Sequence, residues 1–148
     1  MKTKVVLICS TLAALAVGFV AGQTNDQLRN ALVGKWKLVG TKSIKFGQFF
    51  APDPNHSSFK TLTLPNWANV TYDSSSNVVY AVGGPYSFDG NVLTETIKTE
   101  SGSKIPARAS ELLGAHVPFR IRVVGDDYYQ IGADSRSSVE QQWHRIGE

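Results

Sequence analysis

The chain has 148 residues, with 15 Lys and Arg against 12 Asp and Glu and a single cysteine. Lys2 and Lys4 sit in an apolar N-terminal stretch; without them 13 basic residues face 12 acidic ones, and a scattered +1 gives no electrostatic footprint for nucleic acid. Cys9 lies in the same stretch, so the rest of the chain has no disulfide, no thiol nucleophile and no thiolate metal site.

Residues 1–22 read as a secretory leader, with a positive start, an apolar middle and the small residues Val20, Ala21 and Gly22 at a cleavage site. Cys9, Ser10, Thr11 and Gly18 interrupt the apolar part, which at about 16 residues is short for a membrane span of roughly 20. The expectation is a secreted or periplasmic protein whose mature part, residues 23–148, forms one domain of about 126 residues, enough for one core and not comfortably for two.

Residues 25–32 begin with Asn25 as a capping residue and place Leu28, Ala31 and Leu32 at helical spacing, predicting a short helix that ends at Gly34. Residues 35–44 then alternate, with Trp36, Leu38 and Gly40 on one strand face and Lys35, Lys37 and Val39 on the other. Trp36 is large enough to plug one end of a closed sheet. Residues 46–59 contain Phe46, Phe49 and Phe50, then two prolines around Asp53, and predict a long loop whose aromatic flank either closes over a cavity or tucks into the core. Strands follow at 60–64, 67–72, 78–82, 86–88 and 92–99. A turn spans residues 73–77, Gly83-Gly84-Pro85 suggests a bulge or bend, and Asp89-Gly90-Asn91 is a hairpin signal. Residues 107–113 offer one helical turn, and three last strands are read at 116–124, 128–132 and 139–146. Strands recurring every 8 to 12 residues or so predict an antiparallel all-β domain, and closure into an up-and-down barrel of about eight to ten strands removes exposed sheet edges.

Several blocks carry a resemblance: Leu32-Val-Gly-Lys-Trp-Lys-Leu-Val39, Val70-Thr-Tyr-Asp73, Gly83-Gly-Pro-Tyr-Ser-Phe-Asp-Gly-Asn91, Leu93-Thr-Glu-Thr-Ile97, Leu113-Gly-Ala-His-Val-Pro-Phe-Arg-Ile121, Gly125-Asp-Asp-Tyr-Tyr-Gln-Ile-Gly132 and Glu140-Gln-Gln-Trp-His-Arg145. In this order they resemble the calycin superfamily, and in particular the lipocalin-like domains of small secreted bacterial proteins of unknown function. The resemblance implies a lipocalin-like barrel with Gly34, Trp36 and Arg145 in structural roles, the indole stacked against the guanidinium at the plugged end. It is poor for function, because calycins bind very different molecules. Histidines common in that family are replaced by Asn66 and Thr96, so no metal or acid-base role carries over to those positions.

The function expected is binding of a small hydrophobic or amphipathic molecule inside the barrel, without a cofactor. Phe49, Trp67, Tyr72, Tyr86, Phe88 and Tyr128 are candidate lining residues, since large faces with a polar tip suit such a wall, while simple core packing is the bland reading. Of Tyr128 and Tyr129 only one faces inward. Arg120 and Arg122 alternate with Phe119, Ile121 and Val123: in one register they are solvated, in the other they hold an anionic head group. Glu95 shares a face with Leu93 and Ile97; inward, it supports an alternative, a barrel enzyme of isomerase, cyclase or hydratase type with Glu95 as acid or base. His56, His116 and His144 lack metal-ligand spacing. Asn55 and Asn69 head glycosylation sequons, meaningful only in a eukaryotic host. The sequence does not set the oligomeric state.

Overall fold

The first helix, α1 (Asn25–Leu32), starts one residue earlier than its cap was expected: Thr24 is the N-cap, its hydroxyl accepting from the Gln27 amide while the Gln27 side chain accepts from the Thr24 amide. This reciprocal box satisfies two helix-end donors at once. A computed structural model describes residues 24–45 and 47–148; the leader reading and Phe46 lie outside the described residues.

Ten strands follow, β1 (Gly34–Ser43), β2 (Phe49–Phe50), β3 (His56–Thr63), β4 (Asn66–Asp73), β5 (Val78–Asp89), β6 (Val92–Thr96), β7 (Thr99–Ser101), β8 (His116–Val124), β9 (Asp127–Gly132) and β10 (Val139–Gly147), with a short helix α2 (Ala107–Glu111) between β7 and β8. Eight of them, β1, β3, β4, β5, β6, β8, β9 and β10, pair in that order, every pair antiparallel, and β10 returns to β1 to close the barrel. The short β2 adds to the far end of β1, and β7 adds to β5. The domain is an all-β antiparallel barrel with one N-terminal helix.

Two local readings are corrected by the pairing. Gly83-Gly84-Pro85 does not break the chain: β5 runs through it for 12 residues. A Cβ on Gly84 would lie 2.0 Å from the Thr96 carbonyl oxygen, so glycine here lets the end of β6 pass close against β5. That close pass ends β6 at Thr96, and the continuation predicted to Thr99 peels away and rejoins β5 as β7, facing Ala81, Val82 and Gly83. The long loop is also shorter than read. β3 begins at His56, and β2 pairs with Thr41 and Lys42 where β3 has already left β1.

Alternation decides the inside. Leu62 and Lys60 on β3, Trp67 on β4, Val82 and Tyr86 on β5, Leu93 and Glu95 on β6, Val117, Phe119 and Ile121 on β8, Tyr128 and Gln130 on β9 and Trp143 on β10 are all buried. Cross-strand partners fall on the same face, as with Trp143 opposite Tyr128 and Tyr128 opposite Val123. Leu28 and Leu32 of α1 are buried with Trp36 and form the plug of one end. Each fully buried side chain of this size contributes about 1.5–3 kcal/mol through water exclusion.

Candidate functional site

At the plugged end the buried indole and guanidinium both have partners. The Trp36 Nε1–H donates to the Leu32 carbonyl at 2.9 Å, and the Arg145 guanidinium lies 4.1 Å from the Trp36 ring centre. Arg145 also donates to the carbonyls of Val33 (2.9 Å) and Ala31, capping the C-terminal end of α1 where carbonyls lack helix partners. Gly34 makes room for this arrangement. Its φ is +142°, and a Cβ there would sit 2.6 Å from the Arg145 guanidinium nitrogen.

The middle of the barrel holds a different construction. Lys60 is 2% exposed and Glu95 4%, and the Lys60 Nζ donates to Glu95 Oε1 at 2.7 Å and to Gln130 Oε1 at 2.6 Å. The Tyr128 hydroxyl donates to the same Gln130 oxygen. Three aromatic rings surround the ammonium: Trp143 at 5.1 Å, Trp67 at 5.2 Å and Phe119 at 6.0 Å to their centres. Such faces attract a cation that burial has stripped of water. Burial pushes the Lys60 pKa down while the Glu95 carboxylate opposes the shift, and burial followed by the Glu95 charge pushes the Tyr128 phenol well above its ordinary value of 10.0. The interior at this level is therefore filled with side chains.

Open space begins above it, at the end opposite α1. A cleft of about 360 Å³ is walled by Trp67, Tyr80, Val82, Ile97, Leu112 and Val139, with Arg136, Ser137 and Ser138 at its polar side. Burial, and then the Glu100 charge, raise the Tyr80 phenol, which keeps it a neutral donor at ordinary pH. Trp67 is 5% exposed, and among the described residues its fully buried Nε1–H finds no acceptor; the same holds for the Trp143 Nε1–H.

Of the residues singled out in the sequence, Trp67 lines this cleft and Tyr128 lies in the polar cluster beneath it. Glu95 faces inward with Leu93, and is held by Lys60. Tyr86 and Phe88 are also inward but belong to the plugged half, where they line a second groove of about 270 Å³ with Arg29, Leu64 and Pro65. Tyr72 takes the outer face, its ring edge-on to Phe59 at 5.9 Å. Arg120 and Arg122 are exposed on the outside because Phe119, Ile121 and Val123 take the inner positions of β8; Arg122 lies 4.2 Å from the Tyr129 ring centre. Phe49 is 42% exposed beside Lys42, whose Nζ is 5.3 Å from its ring centre. Among the described residues, none of 44–59 walls the mouth cleft; its lip comes from the segment after β6 and from residues 136–139.

The three histidines sit apart, His56 against Asp53 (2.7 Å), His116 against Thr96 (2.9 Å) and His144 against Asp127 (2.9 Å). Asn69 is on the inner face beside Lys60 and Val82, with a buried side-chain oxygen, a poor position for a glycan, whereas Asn55 is exposed. Sequence reasoning missed Lys60 and Gln130. The available signal was alternation: Lys60 shares a strand face with Leu62, and Gln130 shares one with Tyr128.

This barrel, plugged at one end by helix and tryptophan and open to a cleft at the other, has a lipocalin-like fold. No protein-family model and no curated protein sequence matches the chain. Among solved structures, a lipocalin-like protein from Bacteroides uniformis aligns with a TM-score of 0.56 at 13% identity, over 78% of this chain and 99% of that one. An uncharacterised protein from Bacteroides eggerthii aligns with a TM-score of 0.58 at 12% identity, over the same shares of the two chains. At these identities the likeness is one of fold.

Proposed function

We propose that the protein binds one small hydrophobic or amphipathic molecule, held at the mouth of the barrel rather than deep within it. The observation that carries this reading is the cleft of about 360 Å³ with apolar walls and a tryptophan floor. Binding sites for small molecules are commonly concave, mostly apolar and about 300–1,000 Å³ in volume. The filled middle confines the ligand to the mouth, which favours a small molecule at the lower end of that range. The enzyme alternative is less well supported, because Glu95 is engaged by Lys60 and lies outside the residues that wall the cleft.

Titration with hydrophobic probes, read by tryptophan fluorescence, tests the proposal. Quenching should saturate at one ligand per chain and be lost in Val139→Trp, which fills the cleft; no saturable binding by any probe would sink it. The leader reading adds that the binder works outside the cytoplasm. N-terminal sequencing of protein from its host should find a mature end near Gln23, and an intact Met1 would refute that part.

A further inference from the structure

A second concavity lies at the plugged end, away from the mouth. It measures about 270 Å³ and runs between α1, which contributes Arg29, the turn from β3 to β4, with Leu64 and Pro65, and the end of β5, with Tyr86, Ser87 and Phe88. The Tyr86 N–H donates to the Pro65 carbonyl at 2.8 Å, which ties the turn to β5 and fixes these two walls relative to each other. Leucine, proline and two aromatic rings make the groove apolar, and no acidic residue lines it.

Arg29 is the charged residue of that lining, and its ordinary roles are already filled by others. A basic residue in the last turn of a helix commonly serves the free carbonyls at the helix end. Here the carbonyls of Ala31 and Val33 accept from Arg145, and that of Leu32 accepts from the Trp36 indole. Among the described residues Arg29 has no ion-pair partner either. The side chain is exposed, so a solute can reach it. Its charge is also felt at the groove floor, where burial raises the Tyr86 phenol and the Arg29 guanidinium opposes that shift. The mouth cleft differs in this respect, because Arg136 there is held by Asp134, its Nε donating to the carboxylate at 2.8 Å.

An accessible guanidinium beside apolar walls, with no counter-charge, is complementary to a carboxylate joined to an apolar body. We propose that this groove is a second binding site, separate from the mouth, which takes a small organic carboxylate. The apolar body lies against Leu64, Pro65 and Phe88, and the carboxylate accepts from Arg29.

The experiment titrates 3-phenylpropionate and its neutral counterpart 3-phenylpropanamide into the full-length chain at pH 7.5, by calorimetry, with amide NMR shifts to locate the binding. The acid should saturate at one per chain and bind at least about fivefold more tightly than the amide, with the difference shrinking as salt rises. The shifts should centre on Arg29, Leu64 and Ser87. In Arg29→Gln the acid should lose about five- to tenfold in affinity while the amide changes by less than about twofold, and Arg29→Lys should recover part of the loss. Val139→Trp, which fills the mouth, should leave the acid's affinity unchanged. Equal affinity for acid and amide, undiminished binding of the acid in Arg29→Gln, or loss of it in Val139→Trp overturns the inference, as does the absence of saturable binding by the acid. If Arg29→Gln does not fold, the ranking of acid over amide and the position of the shifts decide the matter.

Discussion

The two halves of the barrel treat the same side chain in opposite ways. In the plugged half, the Trp36 indole donates to a helix carbonyl, its face carries a guanidinium, and that guanidinium in turn satisfies two more carbonyls. Above it, in the middle of the barrel, Trp67 and Trp143 flank a buried ammonium, and among the described residues neither indole N–H has a partner. At one end the tryptophan is tied to its surroundings by hydrogen bonds as well as by packing. The middle combines a paired charge with two buried indole donors that lack partners, which is a poor design for stability.

The largest expected break in this contrast comes from the central cluster. Lys60→Met should destabilise the protein by about 3–5 kcal/mol, because Glu95 is left buried and uncompensated, and Lys60→Met with Glu95→Leu should recover most of the loss. Urea denaturation of the two single variants and the double variant measures this. Additive losses would show that the two residues do not act as a charge pair.

The plugged half should give a smaller response. Arg145→Ala removes a cation over Trp36 and two donors to the end of α1, for an expected loss of about 2–3 kcal/mol, while ligand affinity at the mouth stays unchanged. A fall in affinity comparable to the fall in stability would mean that the two halves are coupled rather than separate.

The smallest effect sharpens the picture of the central cluster. Tyr128→Phe should lower stability by about 1 kcal/mol at neutral pH, the contribution of one hydrogen bond. The phenol's pKa is raised in the folded state, so above about pH 10 the unfolded chain releases a proton that the folded chain keeps. Its contribution is complete below that pH and is lost as pH rises through the folded value. Lys60 works with the opposite sign in the alkaline range, because its pKa is lowered on folding, so the unfolded chain binds the extra proton there and stability rises with pH. The difference between wild type and Tyr128→Phe therefore isolates the phenol. The wild type should lose more stability than the variant between pH 9 and 11, and parallel curves would place Tyr128 outside the cluster.

Much of the architecture was legible because strand alternation and turn chemistry are local. Asp89-Gly90-Asn91 marks its hairpin, and Gly90 takes the positive φ of +60° that the turn needs. The same alternation left β8 undecided between Arg120 with Arg122 and the apolar set; only burial against the other strands settled which side is inner. The central cluster was harder to read. Lys60 finds Glu95 and Gln130 at separations of 35 and 70 residues, and no local pattern ties a lysine on one strand to a glutamine on another. The lip of the cleft was hard to read for a related reason. An aromatic-rich, proline-containing segment looks like a lid, but β2 anchors it along β1, and the lip over the cleft comes from the plainer residues after β6.

That lip is fastened in a way that bears on how such a protein diversifies. Its neck is tied by two backbone hydrogen bonds, Ile97 N–H to the Ala115 carbonyl at 3.1 Å and Gly114 N–H to the Ile97 carbonyl at 2.7 Å, with Lys98 N–H fixed to Gly83 at 2.9 Å. Because the chain leaves and re-enters the barrel at adjacent points, its closure entropy grows only slowly with the number of residues between them. Gly102 and Lys104 are still packed on Val79, and Leu112 on the core, but residues 105–111 between them can be lengthened, shortened or exchanged while the strands on either side keep their register, so a stretch beside the cleft is also the part most open to grafting.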